Sequence, residues 1–399
     1  MPTSSAAAIA AAWIGSPASA QALSVRTAGS LTSVAAHDGE DFTRRRDKVG
    51  AVVQVSVDAT LGDVSARIAL DQSSTRDIGT RTSAVSLKDA WVRYSHGSID
   101  LTVGRQFLPE GRSDRIRPLD QFAPRDLTRI ATVDARQRLT LPAVRVDYAV
   151  DERLTASAAY IRQDQGYVLP YAATRLLPPG RTLRNSPVDA GFVEVAFRGD
   201  GAEIGVNLGH GASPLPALTI VGAQPRQIVV AQTRVAISGS YTIGGGVLRF
   251  DLAAIMTDDA AAPGIERRGA FGSLGYDIGV WANANASVQL VARKSSRRSV
   301  EIGLEALAHA NAALQQTSRD RQVWATVSLR QSFQSAHDIE GGGLISAAGE
   351  YAGYLAWNWR PADRWRFSVQ AQGGHGPRDS LIATVLPNFR VFNELQFSF

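Results

Sequence analysis

Cysteine is absent from the chain, which excludes disulfides, cysteine-ligated zinc and thiol nucleophiles. The fold must therefore be held together by hydrogen bonds and packing. Lysine is almost absent too, because Lys48, Lys88 and Lys294 are the only three, so the formal net charge of +5 rests on arginine. No zinc finger, basic helix or aromatic RNA-binding platform accompanies this charge, and we therefore expect no nucleic-acid partner.

Long apolar runs are also missing. Charged residues make up 20% of the chain, the mean hydropathy is −0.08, and no run approaches the roughly 18 apolar residues of a membrane-spanning helix. The longest apolar stretch, 6–15, is followed by small-residue cleavage sites after Ala20 and Ala22. We predict a secretory signal over residues 1–22. Because residues 1–5 carry no basic side chain, a true start further upstream and an alanine-rich helix are the alternatives.

The spacing expected of an enzyme or metal centre is not found either. The six histidines are His37, His96, His210, His309, His337 and His375, and they are scattered without metal-ligand spacing. His37-Asp38 and His337-Asp338 fall in predicted outer loops, where an outer-membrane hydrolase could place a site. This hydrolase is the weakest alternative, and the sequence predicts no catalytic residue, metal or cofactor.

What recurs along the chain is a period of two, in segments of about ten residues. Apolar side chains alternate with polar ones over 53–58, 64–71, 248–252 and 323–330. This pattern predicts an all-β fold, a transmembrane antiparallel β-barrel of about 18 strands, with 16 as the alternative count, over residues 23–399. Its apolar face would contact lipid and its polar face would enclose water. A soluble β-sandwich or β-solenoid is the alternative that alternation alone leaves open.

Short and long connections alternate, as in bacterial barrels with tight periplasmic turns and long extracellular loops. Short turns are predicted near 59–61, 95–98, 150–152, 198–201, 242–246, 280–284, 316–321 and 360–363. Long loops are predicted at 37–49, 72–85, 107–140, 163–187, 210–228, 257–267, 334–348 and 373–387, with a short exception at 294–298. A final strand that ends in the periplasm requires an even number of strands.

The last twelve residues form the most informative segment. Phe389, Val391, Leu395, Phe397 and Phe399 share one face of a predicted strand, while the other face is polar. This tail resembles the carboxyl ends of Gram-negative outer-membrane β-barrels. The resemblance implies an outer-membrane location in contact with lipid, and insertion by the barrel assembly machinery, with Phe397 and Phe399 as the assembly signal.

A closed sheet is expected on energetic grounds. In lipid, each unpaired backbone N–H or C=O costs several kcal/mol, so an open sheet edge does not survive there. With about 18 strands the lumen is too wide for wall side chains to fill, so it holds water or is plugged by loops. A channel is therefore the expected function.

The segment 103–126 follows a strand and opens the longest loop, 107–140. It resembles a stretch of large outer-membrane porin-like families, including alginate-export-like barrels, in which a Val-Gly-Arg-Gln strand end leads into a loop rich in Gly-Arg and Asp. The resemblance covers about 25 residues and supports the porin superfamily better than any one family. It implies no specific substrate.

Charge in this loop suggests a selectivity site. Residues 105–138 hold eight arginines against five acidic residues, a net of +3. We hypothesise that the loop folds into the lumen and that its surplus arginines form a constriction favouring anions. The residues assigned to this constriction are Arg105, Arg112, Arg115, Arg117, Arg125, Arg129, Asp114, Asp120 and Asp126. The alternative is a solvated extracellular loop whose charges cancel.

Wall strands carry charges of both signs on their predicted inner face. Those predicted to point inward include Arg67, Arg145, Arg234, Arg366, Asp58, Glu194, Glu203, Asp251 and Glu301. Taken together, the sequence predicts a porin-like channel for small hydrophilic, anionic solutes, as a monomer or homotrimer. A dedicated export conduit for an anionic polysaccharide, binding acidic oligosaccharide, is the main alternative.

Overall fold

The computed structural model describes residues 23–39, 45–77, 80–112, 119, 122, 124, 138–163, 188–213, 217–221, 224–228, 230–258, 262–297, 300, 303–314, 319–333, 336–377 and 389–399. The first eleven strands are β1 Ser24–Gly39, β2 Arg45–Leu61, β3 Val64–Asp77, β4 Thr80–His96, β5 Ile99–Gln106, β6 Leu141–Ala149, β7 Leu154–Gln163, β8 Val188–Gly199, β9 Ala202–Ala212, β10 Ala217–Val221 and β11 Gln224–Ile228. The others are β12 Ala231–Ile243, β13 Gly246–Thr257, β14 Glu266–Trp281, β15 Ala284–Arg297, β16 Arg321–Phe333, β17 His337–Ser346, β18 Tyr351–Ala362, β19 Trp365–His375 and β20 Phe389–Ser398. A helix, α1, covers Glu305–Leu314. The predicted signal, 1–22, lies outside the described residues.

Eighteen of these strands close into one antiparallel barrel. Each pairs with its sequence neighbours, β9 pairs directly with β12, and β20 pairs with β1 to complete the ring. Strands β10 and β11 form a separate hairpin outside the barrel sheet. The predicted all-β fold and the count of 18 are confirmed. Within the described residues, no helix combines the length and apolar character needed to cross a membrane.

Alternation along the strands separates a lipid face from a lumenal face. In β2, Val53, Val55 and Val57 are exposed on the outside, whereas Ser56 is buried on the inside. In β3, Ile68 is likewise exposed and Asp71 is 4% exposed. In a soluble protein such a continuous apolar exterior would be unstable, so these exposed side chains form the apolar band that contacts lipid.

The carboxyl-terminal strand closes the ring as its pattern predicts. Leu395 and Phe399 are exposed, whereas Phe392 and Glu394 are buried on the other face. The backbone N–H and C=O of Phe399 both pair with those of Gly29 in β1, at 2.9 Å. Phe397 packs on Trp365 of β19, with ring centroids 4.7 Å apart. The role of Phe397 and Phe399 in membrane assembly stays a prediction.

Short connections define the periplasmic rim. Eight turns of two to four residues link the barrel strands on that side, at 62–63, 97–98, 150–153, 200–201, 244–245, 282–283, 334–336 and 363–364. Both ends of the barrel, Ser24 and Ser398, lie on the same rim. Tight turns on the periplasmic side are the arrangement of bacterial barrels.

Two predicted long outer loops are largely strand. The segment 37–49 is occupied by the ends of β1 and β2, which leaves only 40–44 between them, and 72–85 is interrupted only at 78–79. Strands β1 to β4 contain 14 to 17 residues, more than the 9–11 that a membrane-spanning strand needs. Their outer ends extend into water, where neither face must be apolar. The alternation that marks a lipid-facing strand is therefore absent from their sequences.

The connections predicted between β15 and β18 also differ from the structure. The predicted short turns at 294–298 and 316–321 imply a strand between them, but this segment contains α1. The predicted long loop 334–348 is instead β17, flanked by connections at 334–336 and 347–350. Three consecutive glycines at 341–343 removed the alternating side chains that would have marked this strand. The two errors cancel, which explains why the strand count was still correct.

The outer connections above β12 to β15 share a small core of their own. Ala217, Val230, Ala262 and Ile265 are buried together. Asn311 of α1 accepts a hydrogen bond from the N–H of Leu218 at 2.5 Å and donates to the carbonyl of Pro263 at 2.8 Å. These contacts tie three outer connections into one layer at the extracellular mouth.

Gly104 near the end of β5 has a backbone conformation that only glycine adopts readily, with φ of 129°. A Cβ there would lie 2.1 Å from the carbonyl oxygen of Ala90 in β4. We predict that Gly104→Ala destabilises the β4–β5 pairing at the base of loop 107–140, by about 1–3 kcal/mol from backbone strain alone. Denaturant unfolding of the detergent-refolded protein, followed by tryptophan fluorescence, measures this effect.

Gly275→Ala in β14 is the matched control. Its Cβ would meet no atom closer than 3.6 Å, and its φ is not positive. An equal loss of stability in both variants would contradict a specific strain at Gly104.

Candidate functional site

The chain leaving β5 turns onto the inner wall of the barrel. Leu108 is fully buried and packs in a cluster with Leu141, Ile161 and Phe192 of strands β6 to β8. Gly111 lies against Asp251 of β13, because a Cβ there would be 3.2 Å from both carboxylate oxygens. Residues 108–112 therefore contact inward-facing side chains of strands that are distant in sequence.

Glu110 forms a buried ion pair with Arg234 of β12. Both side chains are only 1% exposed, and Arg234 Nη2 donates to Glu110 Oε1. Asn207 of β9 joins the pair, because its Oδ1 accepts from Arg234 Nη2 at 3.1 Å and its Nδ2 donates to Glu110 Oε1 at 3.3 Å. A buried charge survives only when it is paired and hydrogen-bonded, so this cluster fixes the loop to the wall.

Arg112 makes a second attachment, deeper in the lumen. Its Nη2 donates to Glu194 Oε1 of β8 at 3.0 Å and to Glu203 Oε1 of β9 at 2.8 Å. Its backbone N–H donates to Asp251 Oδ1 at 2.9 Å. Burial alone would lower the pKa of Arg112, but the two glutamates outweigh this and raise it above its ordinary value. The guanidinium is therefore charged at every physiological pH.

Two hydrophobic side chains from the middle of the loop also rest on the inner wall. The Phe122 ring stacks on Phe192 with centroids 5.9 Å apart, and its N–H donates to Glu110 Oε2 at 3.4 Å. Leu119 is 2% exposed and packs with Ala236 of β12 and Phe271 of β14. Its carbonyl accepts a hydrogen bond from Arg234 Nη1. Arg234 therefore binds the loop at two points.

The end of the loop is attached to β4 through a β-bulge. The register between β3 and β4 shifts at Ala69/Leu70, opposite Lys88, which is the extra residue of the bulge. Lys88 Nζ donates to the carbonyl of Arg138 at 3.0 Å and lies 3.7 Å from Asp71 Oδ2. Thr140 Oγ1 donates to the carbonyl of Lys88, and Arg105 Nη1 donates to the carbonyl of Thr140 at 2.5 Å.

Charge around these contacts is negative. Three guanidinium groups, of Arg112, Arg234 and Arg198, the last 3.7 Å from Glu203, face four carboxylates, which gives the described cluster a net charge of −1. The carboxylates are those of Glu110, Glu194, Glu203 and Asp251. This differs in sign from the +3 of the whole segment 105–138. The described part of the loop therefore uses its arginines for attachment to the wall.

Of the residues assigned to the anion constriction, the structure describes Arg105 and Arg112. The others lie outside the described residues: Arg115, Arg117, Arg125, Arg129, Asp114, Asp120 and Asp126. The inward-facing charge predicted at Glu301 also lies outside them. The anion constriction thus stays a prediction.

Sequence reasoning did not select Glu110 or Arg234 as site residues. Both appeared as ordinary charges, one in a loop and one on a wall strand 124 residues later. Their strand positions alone could not indicate that they pair, because the path of the loop between them is not encoded in any local period.

One of the two histidine–aspartate pairs named for the hydrolase alternative, His337-Asp338, does not form a site. His337 and Asp338 lie in β17 beside a periplasmic turn, so their prediction as outer-loop residues is wrong. The His337 ring stacks 6.0 Å from Trp357 and Trp359, whereas Asp338 accepts from Ser332 Oγ and Arg330 Nη2. Adjacent strand residues point to opposite faces, so the two cannot act on one atom. Among the described residues, no group of three metal-ligating side chains occurs.

Comparisons with solved structures show which known folds the barrel resembles. No family model and no curated protein matches the sequence. The chain is similar to the solved structure of the outer membrane protein OpdK of Pseudomonas aeruginosa, with 10% identity, a TM-score of 0.58, and coverage of 94% of this chain and 99% of that one. It is also similar to OccAB1 of Acinetobacter baumannii, with 8% identity, a TM-score of 0.58, and coverage of 94% of this chain and 96% of that one. A third similar structure is OccK5 (OpdH) of P. aeruginosa, with 12% identity, a TM-score of 0.56, and coverage of 94% of this chain and 98% of that one. None of their descriptions mentions alginate export, so the finer resemblance to such barrels gains no support. The closed barrel, its apolar exterior and this likeness show an 18-strand outer-membrane β-barrel of a Gram-negative bacterium.

Proposed function

We propose that this protein is a porin-like channel for small hydrophilic solutes, narrowed by its loop 107–140. The observation that carries the proposal is the attachment of Glu110 and Arg112 to inward-facing charges on β8, β9 and β12, inside a closed barrel. Eighteen strands enclose a lumen too wide for wall side chains to fill. A loop held across one side of that lumen reduces the open cross-section.

Polar side chains on other strands support a hydrated pathway beside the loop. Arg67 Nη1 lies 3.1 Å from Asp58 and its Nε lies 3.5 Å from Asp89, with all three side chains at least a quarter exposed. On β18 and β19, Arg366 donates to Asn358 at 3.0 Å. Partly exposed ion pairs on an inner wall are compatible with water and dissolved ions, and not with a dry packed interior.

A preference for anions is the finer part of the proposal. It rests on the surplus arginines of 113–137, because the described cluster around Arg112 and Arg234 is net negative. Rings of arginine favour anions through local potential and bidentate hydrogen bonds. The anionic character of the solutes, and a monomeric or homotrimeric barrel, stay predictions.

Planar-bilayer recording of the refolded protein tests the channel. We expect stable open conductance in KCl, and a reversal potential in a KCl gradient whose sign shows greater permeability to chloride. Absence of conductance from protein that shows heat-modifiable migration, and is therefore folded, would refute the channel. Equal permeability to both ions, unchanged in Arg115→Ala, would refute only the anion preference.

A further inference from the structure

A small cavity lies on the inner face of strands β16 to β19. Its volume is about 170 Å³, and the inward-facing side chains that line it include Thr326, Ser328, Leu344, Tyr354 and Gln372. Strand pairing sets these in two rows, with Thr326 opposite Leu344 and Tyr354 opposite Gln372. The floor is backbone, because Gly342, opposite Ser328 on the inner face, carries no side chain, and Gly343 and Gly353 add main-chain atoms. The cavity therefore opens to the lumen.

Tyr354 is held in a fixed position within this cavity. Its ring lies over Gly342, where an added Cβ would be 2.7 Å from Tyr354 Cε1. Its hydroxyl donates to Glu340 Oε1 at 2.7 Å. The glycine provides room for the ring, and the carboxylate fixes its polar tip, so the ring is a preformed apolar surface in a polar lumen.

Trp324 provides a second ring nearer the extracellular rim. It lies on the inner face of β16, four residues before Ser328, which is a rise of roughly 13 Å along the strand. Its Nε1 donates to Glu350 Oε2 at 3.0 Å. Like Tyr354, it is fixed at its polar tip by a carboxylate. Two oriented aromatic side chains thus lie at successive depths along one sector of the wall.

The cavity lining is uncharged and mainly apolar, and its few polar groups come from Thr326, Ser328 and Gln372. Thr326 and Ser328 carry hydroxyls, and Gln370 donates to Gln372 Oε1 at 3.1 Å, which orients the Gln372 amide. Aromatic surface together with hydroxyl and amide groups matches a pyranose ring, which presents C–H groups on its faces and hydroxyls around its edge. The carboxylates of Glu340 and Glu350 beside the two rings disfavour an acidic sugar.

We propose that this sector, Trp324 and Tyr354 with the cavity beside Tyr354, is a binding site for neutral saccharides entering the channel. The proposal rests on the proposed channel function and names one substrate class for it. The saccharide stacks on Tyr354, and the hydroxyls and amide around the cavity bind its edge. The anion preference arises from a different part of the lumen, loop 107–140, so the two properties are separable.

Blockage of single-channel current by a neutral glucose trisaccharide tests the site. We expect a concentration-dependent reduction in the wild-type current, and a half-blocking concentration about tenfold higher in Tyr354→Ala. Trp324→Ala is expected to weaken blockage in the same direction. Tyr148→Ala is the matched control, because Tyr148 is an exposed tyrosine on the outer face of β6, and it should leave blockage unchanged.

The possible failures are distinguishable. Open conductance without blockage by the trisaccharide would overturn the saccharide site and leave the channel intact. Stronger blockage by trigalacturonate than by the neutral sugar, weakened in Tyr354→Ala and therefore arising at this site, would also overturn it. If the folded barrel does not conduct, calorimetric titration of the detergent-solubilised protein still decides the site, because binding that is lost in Tyr354→Ala supports it and absence of binding refutes it.

Discussion

Replacing Arg234 with alanine is expected to release loop 107–140 from the barrel wall and to raise the single-channel conductance. In the wild type, Arg234 binds Glu110, Asn207 and the carbonyl of Leu119. The substitution leaves the Glu110 carboxylate buried without its guanidinium, and breaking a buried ion pair costs about 3–5 kcal/mol. A loop in equilibrium between attached and released positions would shift its population by more than a hundredfold for such a change.

Planar-bilayer conductance, with its open-channel noise, measures the release. Arg145→Ala is the matched control, because Arg145 pairs at 2.8 Å with Asp147 two residues away on the same strand and makes no described contact with the loop. We expect higher and noisier current in Arg234→Ala and unchanged current in Arg145→Ala.

A double variant separates attachment from charge. Replacing a buried pair by apolar residues of similar volume is often neutral, whereas removing one partner is costly. The double variant Glu110→Met with Arg234→Met should therefore have a single-channel conductance closer to that of the wild type than Arg234→Ala has. Wild-type conductance in Arg234→Ala would contradict the role of the pair in setting the width of the pore.

The barrel could be predicted from the sequence because the requirement for apolar lipid-facing residues acts on each strand separately. Each lipid-facing residue of the carboxyl-terminal strand must be apolar wherever acyl chains touch it, so a period of two is imposed at Leu395, Phe397 and Phe399. The same reasoning failed where that requirement does not apply. Residues 72–77 continue β3 above the membrane, and the glycines of β17 carry no side chain that could alternate.

The lumenal contacts could not be predicted in the same way. Glu110 meets Arg234, and Arg112 meets Glu194 and Glu203, at separations of 82 to 124 residues along the chain. The sign and number of charges in the loop can be counted from the sequence. Which of them form ion pairs with wall residues depends on the path of the loop. The bulge at Lys88 does shift the phase of the alternation, from Val85 and Leu87 to Val92 and Tyr94, but this shift does not indicate that Lys88 binds the end of the loop.

Removing the guanidinium of Arg112 is expected to shift the channel toward cations. Glu194 and Glu203 are 17% and 26% exposed, so both contact the lumen beside the loop. Arg112→Ala removes the cation that these two carboxylates share, leaves Arg198 beside Glu203, and takes the described cluster from −1 to −2. In a tenfold KCl gradient, the reversal potential should move toward the cation limit by a measurable part of the roughly 59 mV that an ideally selective pore gives.

Charge, and not shape, should determine this shift. Arg112→Lys keeps the positive charge and should remain close to the wild type, whereas Glu194→Gln with Glu203→Gln removes two negative charges and should shift selectivity toward anions. Arg67→Ala removes the same charge from a wall strand, where Asp58 and Asp89 are its partners, and serves as the matched control. Because salt screens partly exposed charges, the shifts should be larger at 0.01 M than at 1 M KCl, since the screening length falls from about 30 to about 3 Å. Equal shifts in Arg112→Ala and Arg67→Ala would contradict a selectivity site at the loop, because the pore would then respond to net charge alone.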